Sequence, residues 1–304
     1  MTPVPFSDFM DEVLRLYRPP MRRPATYHKT RQVLGEFRKL CATTADLTPL
    51  AVADWLADGP VRAAATSESL LRHLQAACAY GVTKSYLVSP FDFRSISQWL
   101  PADELEEAED FRAHRSADEI RQVLAQADLE AQGGSWEALR LRAAIYSWAY
   151  TGAGKLEVLG LRHRDVDLGT RVITIRTHPR RRLKTGPRAA RLPIAWPLAE
   201  VLAGWLPHAP GEWIFPHKRF SGPWFWGRPG HKPLDQVKAL GRRAGVDKLT
   251  ILAFRHTVGT LSEDWGIGEL MLQRILRHST RKTQRHYRHE DVELLHRAAE
   301  RIHY

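Results

Sequence analysis

The stretch that decides the reading lies in the last third of the chain: ILAFRHTVGT over 251–260, then LMLQRILRHSTRKTQRHY over 270–287. Apolar residues at helical spacing run through both segments, so Arg255 falls early in one helix and His278 opens the loop after another. Tyr287 follows nine residues after His278. Taken singly, these are a surface arginine, a hydrogen-bonded histidine and a tyrosine packed through its ring. Their order carries more weight, because a Gly-Val-Asp turn at 245–247 precedes them and a Lys-Thr-Gly turn at 184–186 lies on a hairpin.

Outward from that string, the spacing predicts a largely helical chain. Helices are expected over 6–17, 26–42, 48–57 and 66–83, with Val33, Phe37 and Leu40 on one side of the second. These four form a small bundle. Periodicity fails over 89–101, and the acidic run DELEEAED at 103–110 reads as a solvated linker. The expected organisation is a first domain over 1–100, a linker over 101–115 and a second domain over 116–304. Ser116 opens the second domain with Glu119 three residues on, the capping-box spacing. Helices over 117–127 and 135–150 follow, then β-capable runs at 172–176 and 191–194 flanking the Lys-Thr-Gly turn. Further helices are expected over 197–206, 234–244, 254–265, 270–276 and 291–302. Trp205, Trp213, Trp224 and Trp226 are assigned to core and loop packing.

Composition sets the outer limits. The chain has 304 residues, with 45 Lys plus Arg against 34 Asp plus Glu, a formal charge of +11. Such an excess favours a polyanionic partner, nucleic acid being the commonest. No run approaches the roughly 20 apolar residues that a spanning helix requires, and the acidic N-terminal stretch is unlike a signal peptide. The expectation is a cytoplasmic protein with no membrane partner. Cys41 and Cys78, each placed in a helix, cannot build a disulfide framework or a cysteine zinc site. His278, His286 and His289 lack carboxylate and Cys partners at ligand spacing, so no metal is assigned. No phosphate-cradling GxxxxGK[ST] loop and no GxGxxG is present, and no cofactor is expected.

Thr151-Gly152, Glu157, Lys184, Arg255, His278 and Tyr287 together resemble the boxes of the tyrosine recombinase, or phage integrase, family, over roughly 116–302. The resemblance implies a mainly α fold with a small β-hairpin or sheet. It further implies a two-domain DNA clamp: a SAM-like core-binding bundle followed by the tyrosine recombinase catalytic domain. The implied activity is site-specific DNA recombination or integration on double-stranded DNA, through a 3′-phosphotyrosine intermediate and without a cofactor. Tyr287 is then the nucleophile, a phenol of ordinary pKa near 10 that needs nearby cations. Arg255 holds the phosphate, His278 donates a hydrogen bond to it and Lys184 protonates the departing 5′ oxygen. The resemblance also implies a homo-oligomer or a partner recombinase assembled on DNA. The helix at 291–302 either docks on a neighbouring subunit, as family members do, or packs on its own domain.

Two positions depart from the family pattern. Gly154 stands where the first Arg of the family would be, and Leu252 where the His of the His-x-x-Arg box would be. Losing one preorganised donor typically costs on the order of 10²- to 10³-fold in rate. Lys155 and Glu157 are the supporting candidates, but a displacement of one residue turns a side chain by about 100° on a helix, which argues against Lys155 as a substitute. The departures favour, as the alternative, a catalytically impaired DNA-binding relative acting as an accessory or regulatory protein at recombination sites. Backbone contacts to DNA are expected from Arg176, Arg180, Arg181, Arg182 and Arg188 around the hairpin, from Arg242 and Arg243, and from Lys29 and Arg31 in the first domain. The same residues also fit a solvated charged face.

Overall fold

A computed structural model describes residues 2–19, 21–22, 24–58, 64–87, 114–177, 190–219, 221–225, 230–277 and 292–304. The chain divides into two compact units, Met1–Phe111 and Arg112–Tyr304. In the first unit the apolar faces of α1 (Phe6–Tyr17), α2 (Pro24–Phe37), α3 (Pro49–Ala57) and α4 (Ala64–Thr83) meet around Phe6, Phe9, Leu34, Phe37, Leu70 and Leu74. Thr48 starts α3 by accepting the Ala51 N–H at 3.1 Å, with Pro49 at the first helical position, where its missing N–H costs nothing.

One expectation for this unit fails. The helix expected over 26–42 stops at Phe37, where Lys39 N–H and Leu40 N–H donate to the Glu36 and Phe37 carbonyls and tighten the chain into a turn. The change of pitch leaves Leu40 59% exposed and turns Cys41 inward instead. Cys41 is therefore outside a helix, while Cys78 is in α4; both are buried free thiols. Burial pushes Cys41 up to about 11 and Cys78 to about 12, so neither is a ready nucleophile.

The second unit opens with the reciprocal cap read in the sequence. Ser116 N–H donates to Glu119 Oε2 at 2.7 Å and Glu119 N–H to Ser116 Oγ at 3.1 Å, starting α5 (Ala117–Gln132). The next helix, α6 (Trp136–Thr151), is buried on every side, with Ile145, Trp148 and Ala149 at its centre. The short α7 (Lys155–Leu159) leads to an antiparallel sheet of β1 (Val166–Asp167), β2 (Val172–Ile175) and β3 (Ala190–Pro193), in that order. Ile173 faces both Val166 and Leu192. The hairpin is the expected one; β1, with two residues, is too short to leave an alternating pattern. Helices α8 (Trp196–Trp205), α9 (Pro233–Arg243), α10 (Ile251–Leu261), α11 (Glu269–Leu276) and α12 (Val292–Ala299) complete the unit. Helix α10 begins three residues earlier than expected because Thr250 Oγ1 accepts the Ala253 N–H at 3.1 Å.

Trp205, Trp213 and Trp224 are buried as expected, and Trp226 lies outside the described residues. Helix α12 packs on its own unit: Leu295, Ala298 and Ile302 join that unit's core, and Glu300 pairs with Arg171 and accepts the Trp196 N–H at 3.2 Å. The C-terminal helix thus packs on its own domain in the single chain. Among the described residues no helix is long and apolar enough to cross a membrane, and no cluster of His, Cys, Asp and Glu is arranged to hold a metal ion.

Candidate functional site

The site is built at the C-terminal end of α6. That helix closes on Gly152, whose φ of 56° is left-handed, the region where a side chain is strained. A Cβ there would also lie 2.6 Å from Leu276 Cδ2, so glycine lets the turn and the end of α11 touch. Arg255, half-buried on α10, uses this proximity. Its Nη1 donates to the Gly152 carbonyl at 2.9 Å and its Nη2 donates to the Leu276 carbonyl. One guanidinium thus ties the Thr-Gly turn to the last residue of α11, two positions before His278.

A second tie lies beside the first. Gly154 caps α7, and its N–H donates to Glu157 Oε2 at 2.6 Å. The same carboxylate oxygen accepts Nη2 of Arg277 at 2.7 Å, in a pair whose side chains are 6% and 1% exposed. Arg277 Nη1 also donates to the Ile275 carbonyl at 2.8 Å. Arg277 has a φ of 55°, a conformation that costs a non-glycine residue about 1–2 kcal/mol. Sequence reasoning passed over Arg277, since a lone arginine after a helix reads as surface and its partner is 120 residues away.

A cavity of about 270 Å³ opens next to these ties, lined by Ala153, Gly154, Lys155, Leu234, Thr250, Ile251, Leu252 and Arg255. Both departures from the family pattern, Gly154 and Leu252, are on its wall, and Leu252 is 57% exposed. Lys155, half-buried, lines it as well, although one residue of displacement on a helix would turn it by about 100° from the position of Gly154. The physical reason is local: Gly154 is a cap with extended backbone (φ −69°, ψ 158°), so the rotation between helical neighbours does not apply across 154–155. Among the described residues no hydrogen bond or ion pair reaches the Lys155 ammonium. Burial holds its pKa below the ordinary Lys value, with Asp235 opposing that shift and Lys232 adding to it.

Other sequence candidates are placed elsewhere or are not described. Arg176 pairs with the buried Asp165 at 3.0 Å. Arg243 makes a two-pronged contact with Glu130, at 2.7 and 2.8 Å, which raises the arginine's pKa and lowers the carboxylate's. Arg242 is exposed in the last turn of α9, and Lys29 and Arg31 are on α2 of the first unit. Lys184, Arg180, Arg181, Arg182, Arg188, His278 and Tyr287 lie outside the described residues.

The comparisons with known proteins agree on one class. The model of the phage integrase family matches residues 116–293, more than half of the chain. The chain belongs to the phage integrase family, that of the tyrosine recombinases. In fold it is similar to the Tn1549 transposon integrase in complex with a circular intermediate DNA, at a TM-score of 0.68 and 18% identity over 97% of this chain and 98% of that one. It is also similar to the XerH site-specific recombinase bound to difH substrate, at 0.61 and 18% over 95% and 83%. A lambda integrase dimer bound to a COC′ core site matches at 0.61 and 15%, over 95% and 100%. No curated protein sequence matches the chain.

Proposed function

We propose that the protein is a site-specific DNA recombinase that breaks and rejoins duplex strands through a 3′-phosphotyrosine bond at Tyr287. The observation that carries this reading is the cavity in which Arg255, fixed on the Gly152 and Leu276 carbonyls, and Lys155 line one wall. Arg255 and Lys155, both beside that cavity, are the cations we assign to the negative charge that develops on the non-bridging oxygens of a scissile phosphate. Tyr287 gives up its phenolic proton to solvent as its oxygen bonds to phosphorus, the bond to the 5′ oxygen breaks, Lys184 protonates that oxygen, and His278 donates a hydrogen bond to the phosphate. The bond energy is retained in the phosphotyrosine, so attack by a 5′ hydroxyl rejoins the strand and regenerates the phenol. The net charge of +11 supports binding along a DNA backbone, with affinity falling steeply as salt rises. We assign Arg176, Arg180, Arg181, Arg182, Arg188, Arg242, Lys29 and Arg31 to that contact. Arg243, paired with Glu130, and Arg176, paired with Asp165, are the weaker candidates for it.

A second reading, a DNA-binding accessory protein with impaired strand cleavage, is favoured by one observation. Gly154 and Leu252 leave the cavity wall without the family's first Arg and without its His. A suicide DNA substrate, whose cleaved end diffuses away, separates the two. Strand transfer predicts a covalent protein–DNA adduct with the wild-type chain and none with Tyr287→Phe, at equal DNA affinity. Site-specific binding without any adduct establishes the accessory reading.

A further inference from the structure

Two arginines, not one, fasten the end of α11 to the turn that opens α7. Arg255 does so through carbonyls; Arg277 does so through the Glu157 carboxylate, which also holds the Gly154 N–H. The second tie is an unusual use of an arginine. Its guanidinium is almost fully buried, its backbone sits in the left-handed region, and its partner is a carboxylate taken out of water. An apolar pair of similar volume fills such a space as stably or more so, so the ion pair is poorly explained by stability alone. What it supplies is a fixed geometry: a planar guanidinium held by the Glu157 carboxylate through one nitrogen and by the Ile275 carbonyl through the other, intolerant of a shift along α11. The residue so fixed is the one that precedes His278, and the turn it is fixed to carries Lys155 on the cavity wall.

We propose that Arg277 is a positioning residue, which through Glu157 sets where the chain leaves α11 toward His278 and Tyr287 relative to the Gly154–Lys155 wall of the cavity. The proposal rests on the strand-transfer reading above for its chemical consequence, but the clamp itself is a property of the fold. It assigns Glu157 a double task, as the acceptor that caps α7 and as the countercharge for Arg277. Strain at Arg277 is then the mark of a position constrained by function rather than by packing.

The test is the double variant Glu157→Gln/Arg277→Met. Gln keeps an acceptor for the Gly154 N–H, Met keeps the stem volume, and no buried charge is left alone. Two measurements are made on the full chain: adduct formation on the suicide DNA substrate beside DNA affinity, and amide hydrogen exchange in the absence of DNA. The proposal expects adduct formation to slow by at least a hundredfold with affinity within twofold. It also expects exchange at positions 154 and 277 to speed by at least tenfold, while the core amides of Ile145 and Trp148 keep their rates. Exchange that rises equally everywhere, or nowhere, overturns the clamp. An unchanged adduct rate in a folded variant overturns the positioning role. If the wild-type chain forms no adduct, the strand-transfer reading fails, and the exchange pattern alone decides whether the clamp stands.

Discussion

The frame beside the cavity and the cavity's own lining are made differently. On one side, Arg255 and Arg277 are held by carbonyls and a carboxylate, and Gly152 lets α11 come within touching distance of the Thr-Gly turn. On the other, Gly154 and Leu252 carry no charge, and the ammonium of Lys155 meets no hydrogen-bond partner among the described residues. The contrast separates a frame from a binding surface. Guanidinium groups that spend their donors on backbone carbonyls hold parts together, whereas a half-buried ammonium at a cavity is still available to an anion. It also shows that arginine has not vanished from the neighbourhood of Glu157. Gly154 has none, and Arg277, reaching in from the end of α11, supplies the guanidinium.

Three perturbations probe that contrast, and the first should have the largest effect. Glu157→Ala removes the carboxylate that pairs with the buried Arg277 guanidinium, which should cost about 3–5 kcal/mol of unfolding free energy in urea melts. A loss below about 1 kcal/mol would show that Arg277 escapes to water, and the frame would then rest on Arg255 alone. Arg255→Met keeps the stem and removes both ties to the Gly152 and Leu276 carbonyls. With the site only half-buried, water replaces part of that bonding, and a loss of about 2 kcal/mol is expected by the same melts. Adduct formation on the suicide substrate should disappear with it.

The smallest effect belongs to Lys155. Its pKa is lower folded than unfolded, so the folded state sheds the proton first as pH rises. Below the folded value the buried charge is a penalty. Between the folded value and the ordinary 10.5 the unfolded chain binds more protons, and stability gained from this group increases with pH. Lys155→Gln should therefore be as stable as the wild type or slightly more stable at neutral pH, with the gap in melting temperature narrowing toward pH 10. The same substitution should lower the slope of log affinity for DNA against log salt by about one unit if the ammonium meets a phosphate. A Lys155→Gln variant less stable than the wild type at neutral pH would mean that Lys155 is stabilised as a cation by an anionic neighbour, and the availability of its ammonium would be lost as an argument.

Most of the scaffold was legible because the signals were local. The spacing of Phe6, Phe9, Met10 and Val13 marks α1, and Ser116 with Glu119 marks the start of α5, since a cap is a matter of three residues. Leu40 was misread because a helical period continues on paper through a turn that the chain takes at Phe37. Arg255 and Glu157 were singled out through their boxes, and the structure brings both to the turn at the end of α6. Lys155 was discounted for a rotation that holds inside a helix but not across a cap, and Arg277 was missed because burial is not a local property.

By itself the amino-acid sequence determined the family and the helical character of both units, because these depend on residue type and on spacing along the chain. Only the tertiary structure decided which cations lie beside Gly154 and Glu157. Lys155 reaches the cavity because a cap is extended, and Arg277 reaches Glu157 because Gly152 has no side chain to hold α11 away. Both are distances through space between residues remote in sequence or separated by a change of backbone geometry, and the linear spacing of residues does not encode them.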